Sequence, residues 1–557
     1  MKLSAKVNSL FVLFYLFVVY LFFFRGVFSS PQLIYGNGGD PLQYVWFFSW
    51  WNYAFTHPVS LFITDKVWPP SGYNLTQATS LLGAWLLSLP FQPFTSAANA
   101  LNSVALLTTA LAGWTMHLFC YRLTKQYVPS MIGGLLFCFS GYMVAHLLGH
   151  LNLTGSVFLL PLLLYLVWLY LHDLIKPFWF ILFYAICFSL FFLISSELAF
   201  TSLFAGALAF LCAIWIFDHQ LVRLRSVLLC LALAYVLSAI IVSPYLYYFF
   251  FYHSTGAIYG SSRGNDLLGL FLPTSIFMMS TSWTQAIARH FLMNLSEQNA
   301  YLGLPLIVAV CWFVVTNWRT KQGKFFVVMV TVFLFFSVGD AFFVGGNKWM
   351  NNPIPRLFYK YVPLFHSILL SRLALYAELV ICIMMALWLA RVQGKARAVL
   401  LGLLIVALLF LLPSMNRDHF SRYTAYEIPQ FFTSQDYKRY LVKDARVLLI
   451  SKSQGEVLLT QAYTDFYFVL TVAYLGRPPE QYMNSIGDAK LYANKSELLE
   501  SKEIWEQFSQ MITYQNTQFI VVTDDVFSQW QSLLSRLGIQ PIQVDDVMIY
   551  PLYKEFF

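Results

Sequence analysis

The sequence predicts a polytopic α-helical membrane protein of about eleven transmembrane helices, followed by a small soluble α/β domain. Three observations carry this. Only 11% of the 557 residues are charged, against 59% hydrophobic and 19% aromatic, whereas a soluble chain carries about 25% charged residues. Apolar stretches of about 20 residues, long enough to cross a bilayer, recur as far as residue 413. Beyond that point the pattern changes to short β-type runs and one amphipathic stretch.

The first apolar run, 7–28, is long and has no clear small-residue cleavage site, so it reads as a retained anchor. Further spans are expected at 98–120, 128–147, 153–171, 178–195, 197–217, 226–246, 300–318, 325–344, 366–390 and 398–413. The segment 80–95 is apolar but short and broken by Pro90 and Pro93, which suits a re-entrant or interfacial piece. In the tail, "ARVLLIS" (445–451), "FIVVTDD" (519–525) and "VMIYPLY" (547–553) read as strands, and 494–512 reads as an amphipathic helix. The expected division is therefore a membrane part, 1–413, and a soluble part, 414–557.

The net charge of +8 is unevenly spread: residues 1–413 hold 21 Lys/Arg and 9 Asp/Glu, while 414–557 hold 13 and 17. The basic residues of the membrane part lie in short loops between spans, so nucleic acid is excluded as a partner. All seven cysteines lie in or at the ends of apolar spans, without disulfide or metal spacing. One set of loop ends carries Lys2, Lys6, Arg122, Lys125, Lys176, Arg223, Arg225, Arg319, Lys321, Lys324, Arg391, Lys395 and Arg397. By the positive-inside rule this set faces the cytoplasm. The outer side then receives the loops 29–80, 247–299 and 345–365 and the whole tail.

The acids of the membrane part are few enough to judge singly. Asp173 and Asp218 sit beside basic residues at cytoplasmic ends, and Asp65 adjoins Lys66; all three read as loop charges. Glu378 falls inside a span, where Arg372 is a possible structural partner and function is the alternative. Asp40, Glu197, Asp266, Glu297 and Asp340 fall at or near the outer side. In "YGNGGDPLQYVWFFSWW" (35–51), Gly36, Gly38 and Gly39 permit tight turns, and Pro41 can open a helix. That leaves Asp40 either as the N-cap of an aromatic helix lying along the membrane surface, or as a catalytic acid. Glu197 in "LISSELAF" has the same two readings, as a cap with Ser195 and Ser196 or as a site residue.

His146 and His150 form an i, i+4 pair on one helical face, suited to hydrogen bonding to a substrate or neighbouring helix, or to a metal if further ligands join them. Glu297 in "LSEQNAYLGLP" is either a helix cap or a partner for a sugar hydroxyl. Arg263, Arg356 and Arg372 lie in or beside the outer loops, where a planar guanidinium would grip a lipid phosphate; the alternative is headgroup anchoring. Tyr44, Trp46, Trp50 and Trp51 are candidates for an aromatic belt or for stacking on a sugar.

Several of these stretches together resemble a family. The acid of "GDPLQY", shortly after the first span, resembles the first-outer-loop acid of GT-C superfamily glycosyltransferases. "EQNAYLGLPLIVAV" and "FFSVGDAFFVGGNKWMNNPIPRLFYKYVPLFHSILLSRLALYAEL" resemble later helices and loops of the bacterial multi-pass branch. The Asp-x-x-Gln of Asp40 and Gln43 is also similar to bacterial membrane proteins linked to glycosylating teichoic acids. The resemblance covers about residues 8–413 and implies a hexosyltransferase-like enzyme of the bacterial cytoplasmic membrane, with its tail extracytoplasmic. It implies inverting transfer of a sugar from a polyprenyl-phosphate donor to an envelope acceptor, a lipid, polysaccharide or protein. It also implies Asp40 as general base, with a metal-assisted acceptor binder as the alternative role. The candidate substrate-binding residues are Gln43, His146, His150, Glu197, Arg263, Asp266, Glu297, Arg356 and Arg372. No metal ligand set is assigned. A divalent cofactor stays open, because the second acid many members carry is replaced here by His150.

Two rival readings remain at this stage. A transporter or flippase for a lipid-linked substrate would use similar charges, though no internal repeat supports it. A non-catalytic scaffold would tolerate substitution of Asp40.

Overall fold

The computed structural model describes residues 5–217, 221–252, 262–362, 365–415, 423–476, 478–479 and 502–552. Asp218 and the first part of the expected tail helix, 494–501, lie outside the described residues.

Apolar helices carry the chain as far as residue 411. α1 (Ala5–Val19) runs into a π-helical turn at Tyr20–Phe24. β1 (Leu33–Tyr35) and α2 (Gly39–Thr56) follow, then the hairpin of β2 (Ile63–Thr64) and β3 (Tyr73–Asn74), and the short α3 (Leu82–Ser88). The bundle continues with α4 (Ala97–Thr124), α5 (Tyr127–Cys138), α6 (Gly141–His146), α7 (Leu151–Thr154) and α8 (Leu159–Leu171). Next come α9 (Pro177–Ile194), α10 (Ser196–Ile216), α11 (Leu221–Ile241), α12 (Ser243–Phe251) and α13 (Ser282–Ala288). α14 (Leu304–Asn317) and α15 (Lys321–Ser337) precede the hairpin of β4 (Ala341–Val344) and β5 (Asn347–Asn351). α16 (Pro353–Tyr361), α17 (Ala374–Arg391) and α18 (Gly394–Leu411) complete the membrane part.

Among the described residues, eight helical stretches are long and apolar enough to cross a membrane. They match eight of the eleven expected spans. The other three are shorter: Asn8–Phe24, Leu304–Asn317 and the 17-residue α15. α3 is also too short to span and ends at Ser88, ahead of Pro90, because proline cannot continue the backbone ladder.

The tail folds as an α/β layer. After β6 (Tyr423–Ala425), α19 (Gln430–Thr433) and α20 (Tyr437–Tyr440) lead to β7 (Arg446–Ile450), α21 (Gln454–Tyr463) and β8 (Val469–Leu470). α22 (Lys502–Tyr514), β9 (Phe519–Thr523), α23 (Asp524–Ser535), β10 (Ile542–Val544) and β11 (Val547–Pro551) complete it. The sheet order is β10-β11-β9-β7-β8, parallel across β9, β7 and β8 and antiparallel at the β11 side. β9 is buried at every position, as expected of a strand covered on both faces.

The tail is knitted into the membrane part rather than hung from it. β6 pairs antiparallel with β1, just ahead of α2. The Lys66–Trp68 segment lies along the free edge of β8: Trp68 N donates to Leu470 O at 2.9 Å and Leu470 N donates to Lys66 O at 2.9 Å. This caps an edge that would otherwise offer unpaired backbone groups. Lys66 also pairs with Asp444.

α2 departs from expectation. It is not an exposed aromatic helix: almost all its side chains from Pro41 to Ala54 are buried, and it packs on α21, α4 and α3. Each of its indoles finds a fixed acceptor. Trp46 Nε1 donates to Gln461 Oε1 (2.9 Å), Trp50 Nε1 to Leu61 O (3.1 Å) and Trp51 Nε1 to Ser80 O (2.9 Å). These tryptophans are core residues, not a belt, because the tail covers the face that a lone helix would have left to lipid headgroups.

Candidate functional site

The glycines around Asp40 serve a close approach. Gly36 and Gly38 adopt φ of +106° and +90°, a region open to glycine. A Cβ on Gly36 would stand 2.7 Å from Pro41 Cγ and 3.0 Å from Gly149 Cα. The loop is thereby pressed against residues 148–149, and Asn37 N donates to Leu148 O. Gly38, not Asp40, occupies the N-cap, so α2 starts at Gly39 and Asp40 is its second residue. Pro41 is tolerated there because the first turn leaves its N–H groups without helical partners.

The Asp40 carboxylate is thus turned to other partners. Its Oδ1 accepts a hydrogen bond from Tyr474 Oη at 3.0 Å. Its Oδ2 lies 3.6 Å from His150 Nε2, and the side chain is 32% exposed, within reach of a substrate. Tyr474 stands in the loop after β8, so the tail supplies half of this environment. Burial and the negative charge of Asp40 both hold the Tyr474 phenol well above its ordinary range, which keeps it a donor.

His150 belongs to a directed network. α6 ends at His146, and the chain leaves helical geometry before α7. The i, i+4 relation survives this break: His150 N donates to His146 O (2.9 Å), and the two Nδ1 atoms are 3.0 Å apart. The amide orientations fix the tautomers. Asn265 Nδ2 donates to Ser371 O (2.9 Å) and Asn265 Oδ1 accepts from Asn299 N (3.1 Å). Asn265 Nδ2 also reaches Asn299 Oδ1 (3.2 Å), which leaves Asn299 Nδ2 facing His146 Nε2 at 3.0 Å. His146 Nε2 is then the acceptor, His146 Nδ1 donates to His150 Nδ1, and the His150 proton sits on Nε2, facing Asp40. Burial drives His150 toward this neutral form, against the pull of Glu297 and Asp40.

Arg372 anchors the floor. Its Nε lies 3.2 Å from both oxygens of Glu297, its Nη2 lies 2.5 Å from Glu297 Oε1, and its Nη1 pairs with Glu197. Ser371 Oγ (3.3 Å) also donates to Glu297, and Leu369 N (3.4 Å) donates to Glu197. Burial alone would raise the Glu297 carboxyl, but the Arg372 guanidinium holds it down at about 2. Glu197 is not a helix cap, since Ser195 accepts from Leu198 N at the start of α10. Glu378 does not pair with Arg372 either; it accepts from Tyr142 N at 3.0 Å.

His146, His150 and Glu297 each offer a ligand atom, all within 4.8 Å of one another. The 3.0 Å and 4.0 Å separations from His150 Nδ1 suit a divalent ion, since tetrahedral ligands on zinc stand roughly 3.3 Å apart. Imidazole with carboxylate suits zinc, manganese or iron. Such an ion would act as a Lewis acid beside Asp40. The ion and the imidazole hydrogen bond exclude each other, because His146 Nδ1 cannot both donate and ligate.

The other sequence candidates fall into two groups. Gln43 faces the same side of α2 as Asp40, is 4% exposed, and its Nε2 has no hydrogen-bond partner among the described residues. That is a donor facing inward beside the acid. Asp266 is engaged by backbone: it accepts from Leu268 N (2.9 Å), Gly345 N (3.0 Å) and Gly346 N (2.8 Å), fixing the β4–β5 turn. Arg356 is exposed on α16, and Arg263 is exposed where its backbone bridges Gly339. Tyr474, Asn265 and Asn299 were not singled out from the sequence. Asn299 lies two residues after Glu297, inside a stretch already quoted for its resemblance; nothing local points to Tyr474, 434 residues from Asp40.

The chain is similar in structure to arabinofuranosyltransferase AftD from Mycobacteria, at 12% identity and a TM-score of 0.58. That alignment covers 100% of this chain and 40% of that one. It is similar to the Archaeoglobus fulgidus oligosaccharyltransferase solved with Zn and sulfate, at 13% identity, TM-score 0.54, and 97% and 73% coverage. It is also similar to ArnT from Cupriavidus metallidurans bound to undecaprenyl phosphate, at 11% identity, TM-score 0.50, and 99% coverage of both chains. No curated protein matches the chain in sequence. The three structures belong to the GT-C superfamily, and at these identities the likeness is one of fold. Residues 11–411 match the family described as "Domain of unknown function (DUF6311)", well over half of the chain, so this multi-pass membrane protein with the GT-C fold belongs to that family.

Proposed function

We propose that the protein is a glycosyltransferase that moves a sugar, of the hexosyl class, from a polyprenyl-phosphate donor to an envelope acceptor. In this reading the tail and the Asp40 cluster face outward from the bacterial cytoplasmic membrane, on the side opposite the basic loops. The observation that carries it is the Asp40 carboxylate: partly exposed, free of a capping role, and framed by Tyr474 and His150. The fold shared with an arabinofuranosyltransferase, an oligosaccharyltransferase and a protein solved with undecaprenyl phosphate supports the class of reaction.

The acceptor hydroxyl is a poor nucleophile and needs a positioned base. Asp40 takes its proton as the oxygen bonds to the anomeric carbon; the bond from that carbon to the phosphate oxygen breaks, and polyprenyl phosphate leaves with inversion. Gln43 Nε2, a buried donor without a partner among the described residues, is assigned to a sugar or acceptor oxygen. Arg263 and Arg356 are assigned to the lipid phosphate. Arg372 is not, since two carboxylates already neutralise it. Any divalent ion would be held by His146, His150 and Glu297.

The test compares envelope sugar and glycolipid profiles of cells carrying the intact chain, Asp40→Asn or Asp40→Ala at matched membrane abundance. Loss of one sugar modification in both variants, with build-up of a lipid-linked sugar, is expected. An unchanged profile in Asp40→Asn would remove the base.

A further inference from the structure

We infer that Tyr474, delivered by the C-terminal part of the chain, is a positioning residue for Asp40, so that the tail completes the active site rather than accompanying it. The inference rests on the reading of Asp40 as general base. A carboxylate turns about its last torsion with little resistance, and two equivalent oxygens give a base two competing orientations. Here Tyr474 Oη holds Oδ1 at 3.0 Å, whereas His150 Nε2 stands 3.6 Å from Oδ2, too far for a hydrogen bond, so Oδ2 is the oxygen left for the acceptor proton.

The ring has a built seat. Gly39 adjoins Asp40, and a Cβ there would stand 3.1 Å from Tyr474 Cε1, closer than ordinary contact, so the glycine makes room for the phenol. The loop that carries Tyr474 is tied on both sides. From the tail, Thr471 N donates to Val447 O (3.0 Å) and Gln515 Nε2 donates to Thr471 O (2.7 Å). From the membrane part, Tyr73 Oη donates to Leu475 O (2.9 Å), and Trp68 N and Lys66 O bracket Leu470. The hydrogen bond to Asp40 is thus made between two anchored segments, the geometry that preorganisation requires.

The experiment uses the full chain with Tyr474→Phe, Gly39→Ala, Asp40→Asn and the double variant Asp40→Asn/Tyr474→Phe at matched membrane abundance. Two readouts are taken: the envelope sugar modification, and the thermal stabilisation of the purified protein by undecaprenyl phosphate, the carrier alone. Tyr474→Phe keeps the ring and is expected to cut modification roughly tenfold to hundredfold while the stabilisation by undecaprenyl phosphate stays at the intact value. Gly39→Ala, which only crowds the ring, is expected to give a smaller loss in the same direction. The double variant is expected to be no worse than Asp40→Asn alone. Modification by Tyr474→Phe at or above the intact level, with Asp40→Asn inactive, overturns the inference and leaves the base assignment standing. A raised level would mean that the phenol occupies the acceptor's seat. Joint loss of abundance, carrier binding and modification in Tyr474→Phe also overturns it, by making the residue structural. Full modification by Asp40→Asn is a different result, and removes the base reading itself.

Discussion

Leu42 and Gly455 meet across the junction of the two parts of the chain: a Cβ on Gly455 would stand 2.4 Å from Leu42 Cδ1 and 2.8 Å from Leu42 Cβ. α21 of the tail therefore lies directly on α2, two residues after Asp40. Overpacking a close contact of this kind costs about 1–3 kcal/mol. Gly455→Ala is accordingly expected to lower the thermal stability of the purified protein by about that amount, and Gly455→Val by more. A melting transition identical to that of the intact chain would show that α21 is not seated on α2.

Arg372 sits between two carboxylates, with its side chain 15% exposed and that of Glu297 4% exposed. Removing one partner of a buried ion pair leaves uncompensated charge, at a cost of about 3–5 kcal/mol. Arg372→Ala should be destabilised by that order, and Glu197→Gln combined with Glu297→Gln should recover part of the loss. Arg372→Lys keeps the charge but not the fork, and should fall in between. A stable Arg372→Ala protein that has lost only carrier binding would return this residue to the lipid phosphate.

Asp266 accepts three backbone N–H groups. Asp266→Ala leaves them without an acceptor and is expected to cost about 1–3 kcal/mol. Faster amide hydrogen exchange at Gly345 and Gly346 should accompany the loss. Unchanged exchange at that turn would argue against a structural role and for contact with substrate.

The imidazole cluster makes a separate prediction. Where a divalent ion displaces the His146–His150 hydrogen bond, purified protein stripped of metal and titrated with zinc or manganese should take up one equivalent, and His146→Ala or His150→Ala, each removing a ligand, should weaken that uptake. No uptake by the intact chain would leave the cluster as the hydrogen-bond chain from Asn265 to His150.

Much of this architecture was legible in the residues themselves. Eight of the expected spans recur as helices of spanning length, because hydropathy over about 20 residues reports directly on the cost of burying backbone and charge in lipid. The three tail strands lie where their β-branched runs placed them, at β7, β9 and β11. Asp40, His150, Glu197, Glu297 and Arg372 were legible as candidates because charge is scarce in such a chain, and each charged residue invites a question.

The roles of those residues were not legible in the same way. Pro41 and the flanking glycines suit a capping aspartate, and local pattern cannot distinguish an acid at the N-cap from one at the second helical position. A shift of the N-cap by two residues, from Asp40 to Gly38 at φ +90°, leaves the carboxylate to Tyr474 and His150. The α2 tryptophans have the composition of a membrane belt until α21 covers them. Pairing was equally hidden. Glu378 is close to Arg372 in sequence, yet Arg372 pairs with Glu197 and Glu297, 175 and 75 residues away.

By itself the sequence determined the membrane-spanning pattern, the change to an α/β tail and the short roster of charged candidates. Each of these follows from local composition and period, which act over one helix or strand. The tertiary structure alone decided which acid is freed from capping, which arginine is neutralised, and that a tyrosine of the tail reaches Asp40. Those outcomes depend on contacts between residues hundreds of positions apart, and no local periodicity records where a distant segment will pack.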